Sequence, residues 1–178
     1  MMFGKKNEKK KGKKENIFAD IAEVIIAVFA AWLFYQFLIF LLGTPMPVVS
    51  VVSSSMYHSS HFDGWWSSSS KYYEKNGMNK TEFEKFTLPN GLSIGDLLVV
   101  SKSDYKVGDI VIYNRPEVRY TIVHRIIAEK DGSYVIKGDN NPAEDPGVVK
   151  QEQIIGKVNF AIPLVGYPRL ALLYLAGV

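Results

Sequence analysis

The sequence predicts a compact, mainly β domain behind one N-terminal transmembrane helix, with a short inserted segment inside the β domain. Three observations predict it. Residues 24–42 form an apolar run, VIIAVFAAWLFYQFLIFLL, in which Gln36 is the one strongly polar side chain. Farther on, short β-branched or alternating runs recur at close spacing, the pattern of a sandwich or barrel. Paired glycine and aspartate punctuate them at 95–96, 108–109, 131–132 and 138–139, which is turn chemistry.

The chain has 178 residues, room for one modest domain and an anchor. Its net charge of +3 is unevenly placed. Residues 1–16 hold seven lysines and two glutamates, a balance of +5, so the other 162 residues balance at −2. The basicity belongs to a tail, read here as a cytoplasmic flank of residues 1–16. The anchor is placed at 17–43. At about 1.5 Å per residue, a helix of this length crosses a hydrocarbon core of roughly 30 Å. Lysines before the span and few after it put the N-terminus inside and the rest of the chain outside a single-pass cell membrane. A cleavable signal peptide is the rival reading; its apolar region usually has only about 7–15 residues.

Residues 44–162 are assigned to the β domain. VVSVVSSSM reads as a strand ending in serines, and strands are expected at 96–101, 109–113, 120–129, 133–137 and 154–162. The stretch 57–92 interrupts this pattern with Ser, Tyr, Trp and charge, and reads as a loop-like insertion with a short helix at 80–86. Trp65 and Trp66 in it would either dip into a membrane interface or pack on the β domain. The apolar segment 163–178 is broken by Pro168 and Arg169 and is too short to span, so it is expected to rest on the membrane or pack against the anchor.

Absence of cysteine excludes disulfides, thiolate metal sites and a cysteine nucleophile. A serine nucleophile needs a base beside it, and the chain has three histidines, His58, His61 and His124. His124 lies in a strand-like run, TIVHRIIAE, a firmer mount than the serine-rich loop that carries the other two. A carboxylate to orient the ring is available in GDNNPAEDPG as Asp139, Glu144 or Asp145, although turn formation explains most of that segment. Spacing alone leaves a serine cluster, a strand histidine and an acidic turn, without a triad.

Taken in order, VVSSSM at 51–56, IGDLLVV at 94–100, VGDIVIY at 107–113, IVHRII at 122–127 and KGDNNPAEDPG at 137–147 follow a lysine tail and an anchor. This series resembles the type I signal peptidases, in their archaeal and endoplasmic-reticulum branch. The resemblance implies a signal-peptidase-like β fold and a serine endopeptidase that removes signal peptides from exported precursors. It implies Ser55 as nucleophile, His124 as general base where the bacterial branch has lysine, and Asp145 as its carboxylate partner. Asp139 would support the site, and Ser53 would help to bind the oxyanion. It implies no cofactor. Precursor proteins and the lipid bilayer are its implied partners, with the secretion translocon as a further candidate and no nucleic acid. Two positions depart from the family pattern: Ser54 stands where glycine is usual, and Tyr57-His58 where an X-Pro pair is usual. A catalytically inactive membrane subunit that binds exported chains is the competing reading.

Two weaker signals remain. His58, His61 and Asp63 form H-x-x-H-x-D, read as solvated loop residues ahead of a metal site. Asn79-Lys80-Thr81 is a glycosylation sequon, a tripeptide that also arises by chance.

Overall fold

The computed structural model describes residues 5–177, with side chains from Ile17 onward; residues 1–4 of the basic tail and Val178 of the C-terminal segment lie outside the described residues. The chain divides into two compact units, 1–41 and 42–178. The first is a single helix, α1 (Lys5–Leu42). Within it Ile17–Leu42 is long and apolar enough to cross a membrane, and none of that stretch is buried against protein. Apolar residues cover the whole circumference of that stretch.

The second unit is built on one antiparallel, half-barrel sheet of seven strands. In chain order they are β1 (Val48–Ser50), β2 (Leu97–Ser101), β3 (Ile110–Tyr113), β4 (Ile122–Lys130), β5 (Ser133–Lys137), β6 (Val149–Lys150) and β7 (Ile154–Ile162). Their spatial order is β1-β2-β7-β3-β4-β5-β6. Central β3 is buried on both faces, which explains its unbroken apolar sequence IVIY. Ile110 and Ile112 enter a core with Val49, Leu98, Val100, Val158 and Met56. Val111 and Tyr113 enter another with Ile126, Ile136 and Val149. The side-chain alternation of strands divides these two sets.

The insertion is more ordered than the sequence suggests. It carries the expected short helix as α3 (Lys80–Phe83), but also a fifteen-residue helix, α2 (His61–Lys75), where a loop was expected. Four consecutive serines and a glycine, poor helix formers, mask it. Its aromatic residues nevertheless recur at helical spacing, Phe62, Trp65, Trp66, Tyr72 and Tyr73, and this stripe is the signal that identifies it. The stripe closes with Phe83, Met78 and Ile127 into a third core. α3 begins with a capping box: Asn79 Oδ1 accepts from Glu82 N, and Glu82 Oε2 accepts from Asn79 N, both at 3.0 Å.

Trp65 and Trp66 are 2% and 6% exposed, so packing on the β domain, and not dipping into an interface, is what these two rings do. At the C-terminus Pro168 begins a helix instead of interrupting one, at the first turn of α4 (Tyr167–Leu175), where its missing N–H costs nothing. Gly166 N–H donates to Gly95 O at 2.8 Å and fastens α4 to the turn before β2.

Trp65 contacts Trp66, Tyr73, Phe83 and His58. Trp65→Ala should therefore cost about 3–5 kcal/mol, measured by denaturant unfolding of the full chain in detergent. A loss below about 1 kcal/mol would show that the aromatic cluster does not bear on the fold.

Candidate active site

Strand β4 puts His124 and Arg125 on opposite faces of the sheet, because successive side chains alternate. His124 pairs with Val111 of β3, and Arg125 with Lys137 of β5. The two faces carry two different polar clusters.

On the first, His124 Nδ1 lies 2.6 Å from Asp145 Oδ2. Tyr113 donates its hydroxyl to the same Oδ2. Tyr113 pairs with Ile122, one pleat from His124, so the register of β3 on β4 delivers both groups to one carboxylate. Burial pushes the Asp145 carboxyl upward, but the hydrogen bond and charge of His124, then Tyr113, outweigh it and hold it below the usual carboxylate range. An ionised Asp145 accepts a proton bond from Nδ1–H, which leaves Nε2 of a neutral ring as an acceptor.

The serine turn is fixed to the same loop by backbone bonds. Tyr57 N–H donates to Ser54 O at 3.0 Å and closes the turn, while Asn140 N–H donates to Ser55 O at 2.8 Å. Asn140 Nδ2 adds a 3.0 Å bond to Ser54 O. Ser55 Oγ hydrogen-bonds Ser53 Oγ at 3.1 Å and not the His124 ring. Gly138 explains how the parts come so close. A Cβ built there would stand 2.8 Å from both His124 Nε2 and Ser55 O, so no side chain fits. Ser54, where the resembled family has glycine, is not among the residues with positive φ, so its side chain imposes no backbone strain.

On the second face Arg125 is completely buried against Asp139, Nε to Oδ1 at 2.9 Å and Nη2 to Oδ2 at 2.7 Å. Its remaining N–H groups reach the carbonyls of Thr87, Leu88 and Gly108. His58 Nε2 lies 3.1 Å from Asp139 Oδ2, with its ring stacked on Trp65 at 3.7 Å between centroids. Gly91 makes room for that ring: it holds φ +73, and a Cβ would stand 2.6 Å from His58 Cδ2. Burial raises the Asp139 carboxyl, but Arg125 and His58 together lower it to about 2. Lys137 Nζ donates to Gly138 O at 3.0 Å and Asp139 O at 3.3 Å, and its burial lowers it to about 8.

The structure thus gathers Ser53, Ser55, His124 and Asp145 around one turn and one loop, and places Asp139 on the far side of β4, under the insertion. Glu144 is turned away and accepts from Tyr72 OH at 2.7 Å. The H-x-x-H-x-D residues have separate engagements. His58, expected to be solvated, is buried on Asp139, and Asp63 pairs with Lys80 Nζ at 2.7 Å. Among the described residues no group of three His, Asp or Glu side chains is arranged to hold a metal. Tyr113, Arg125, Lys137 and Asn140 lie inside the quoted motifs and His58 in the insertion, but sequence reasoning assigned them no role; pairing register and the insertion's packing bring them to the site.

A cleft of about 710 Å³ opens here, lined by Ser55, His124 and Asp145. Val49, Val51 and Val52 line it from β1 and its continuation, and Ile122 and Val123 from the start of β4. Arg169 and Leu173, one turn apart on α4, also reach it, so the C-terminal helix forms part of the cleft wall.

No protein-family model matches the chain. It is 37% identical over 93 residues to the signal peptidase complex catalytic subunit sec11 of Pyrenophora tritici-repentis, an alignment covering 44% of this chain and 54% of that one. To the signal peptidase complex catalytic subunit SEC11 of Schizophyllum commune it is 30% identical over 108 residues, covering 44% and 56%. To that of Scheffersomyces stipitis it is 34% identical over 87 residues, covering 41% and 52%. The chain spans about half the length of these curated relatives.

Asp139 and Asp145 both titrate lower when folded than unfolded, so the stability they supply is complete above the unfolded carboxylate value of about 4 and is lost as pH falls through the folded values. The full chain in detergent should therefore unfold at progressively lower temperature as pH drops from about 4 toward 2. Asp139→Asn, which strands a buried guanidinium, should cost about 3–5 kcal/mol at neutral pH and flatten that acid slope. An unchanged slope in the variant would contradict the arrangement.

Proposed function

We propose that the chain is a membrane-anchored serine endopeptidase that removes signal peptides from exported precursors, with Ser55 as nucleophile and His124 as general base. The observation that carries this reading is the 2.6 Å contact from His124 Nδ1 to Asp145 Oδ2, with the Ser55 turn fastened to the same loop. Similarity to catalytic subunits of the signal peptidase complex supports the choice of reaction and of precursor.

In the proposed reaction the Ser55 hydroxyl turns from Ser53 toward His124 and attacks the scissile carbonyl. His124 Nε2 takes the proton and returns it to the leaving amine. Water then attacks the acyl-serine by the same route in reverse. Asp145, held ionised, fixes the tautomer and stabilises the imidazolium. The backbone N–H of Ser55 and the Ser53 hydroxyl, 3.1 Å from Ser55 Oγ, are the donors for the oxyanion. An extended precursor would lie in the cleft along β1, an edge strand that pairs only with β2, with alternate side chains entering apolar walls. Preference for small residues before the cut follows from the family resemblance.

Ile17–Leu42 would hold the site at the membrane surface, with the lysine tail inside and the β domain outside. Tethering concentrates the enzyme near tethered precursors. The translocon is the partner expected to deliver them.

Cleavage of a secretory precursor by the purified full chain in detergent tests the proposal. Ser55→Ala or His124→Ala should lower the rate by at least about a thousandfold. Ser53→Ala should slow it by about a hundredfold, the scale of one oxyanion donor. Full activity in Ser55→Ala would reject the nucleophile.

A further inference from the structure

The insertion closes on itself directly behind the serine turn. Tyr57 and Gly91 form an antiparallel bridge, and Leu92 N–H donates to Met56 O at 2.8 Å. From this foot the segment reaches over β4 and β5 and touches the 138–147 loop at two places. At the start of the loop His58 Nε2 meets Asp139 Oδ2 at 3.1 Å and Trp65 Nε1 donates to Asp139 O at 3.3 Å. Tyr73 OH completes that contact at 3.4 Å from Asp139 Oδ1. Toward its end Tyr72 OH donates to Glu144 Oε2 at 2.7 Å, one residue before Asp145. None of these side chains hydrogen-bonds Ser55, His124 or Asp145.

The loop that carries these contacts, GDNNPAEDPG, has little apolar surface to hold it. Asp145 itself is tied by its N–H to Ile136 O at 2.8 Å and by Tyr113. A carboxylate that must orient an imidazole needs its backbone fixed at both ends, because a displacement of about 1 Å can cost as much as a hundredfold in rate. His58 is suited to the first contact. Stacked on Trp65 and facing an ionised Asp139, it donates through Nε2, and its Nδ1 is buried without a partner. That orphaned acceptor is a cost of position, which the contact to Asp139 offsets.

We infer that the 57–92 insertion is a positioning element of the active site, in which His58 and Tyr72 fix the two ends of the loop that presents Asp145 to His124. The inference rests on the serine endopeptidase reading and adds a role for a segment that reading does not use. Both residues act through the loop, without touching substrate.

The test uses the full chain in detergent with three variants, Tyr72→Phe, His58→Ala and His58→Gln. Two readouts are taken: kcat and KM on a secretory precursor, and the His124 Nδ1–H proton resonance of histidine-labelled protein. Tyr72→Phe and His58→Ala should each lower kcat by about tenfold with KM nearly unchanged, and should shift or broaden the resonance. His58→Gln still offers an N–H to Asp139 and should recover most of the loss. Native kcat and an unmoved resonance in both Tyr72→Phe and His58→Ala would overturn the inference. Tyr72→Phe removes one hydroxyl at an exposed edge, so it decides the matter if His58→Ala fails to fold or the two disagree. An inactive wild-type protein whose resonance still moves in the variants would reject the peptidase reading and leave the positioning role standing. Active enzyme with indifferent variants would do the reverse.

Discussion

The buried pair of Arg125 and Asp139 is the interaction on which the rest of the site depends. Two charges out of water cost several kcal/mol each unless every donor and lone pair finds a partner. Here they do. The guanidinium takes both carboxylate oxygens and three backbone carbonyls, and the carboxylate also accepts from His58 and Tyr73. Satisfying one charge pair therefore requires β4, the 87–88 segment, the turn before β3, His58 and α2 to stand where they do. A network so fully met specifies geometry more than it adds stability.

Adjacent residues on one strand divide the work. His124 faces the cleft and Arg125 faces the covered side, because a strand alternates. The Ser55 turn and the 138–147 loop straddle the division. Asn140 reaches back to Ser54 and Ser55, Asp139 is gripped from behind, and Asp145 arrives in front. Gly138 sits where the two sides meet, with no space for a side chain. Rigidity generated behind the sheet is thus delivered to the face where chemistry is proposed.

The mainly β class and six of the seven strands were legible, two of them, β5 and β7, to the residue, because β-branched runs ended at glycine and aspartate turns. Two-residue β6 was not, since its pairing to β5 and not its composition makes it a strand. The long helix of the insertion was hidden by serines, although its aromatic stripe had helical period. Ser55, His124 and Asp145 were named from ordered motifs; spacing alone left Glu144 equally eligible, and only the structure shows Glu144 committed to Tyr72. Arg125, Tyr113 and His58 could not be read from sequence. Their roles depend on which residue lies across a strand or under a ring, and His58 in particular looked like a solvated loop residue.

The most direct measurement is the mass of the Ser55 peptide after the full chain is mixed with a precursor and quenched in acid. The expected result is a fraction of that peptide heavier by an acyl group from the signal-peptide side, absent in Ser55→Ala. Precursor cut at the same rate by wild-type protein and Ser55→Ala, with residue 55 never modified, would contradict covalent catalysis by this serine.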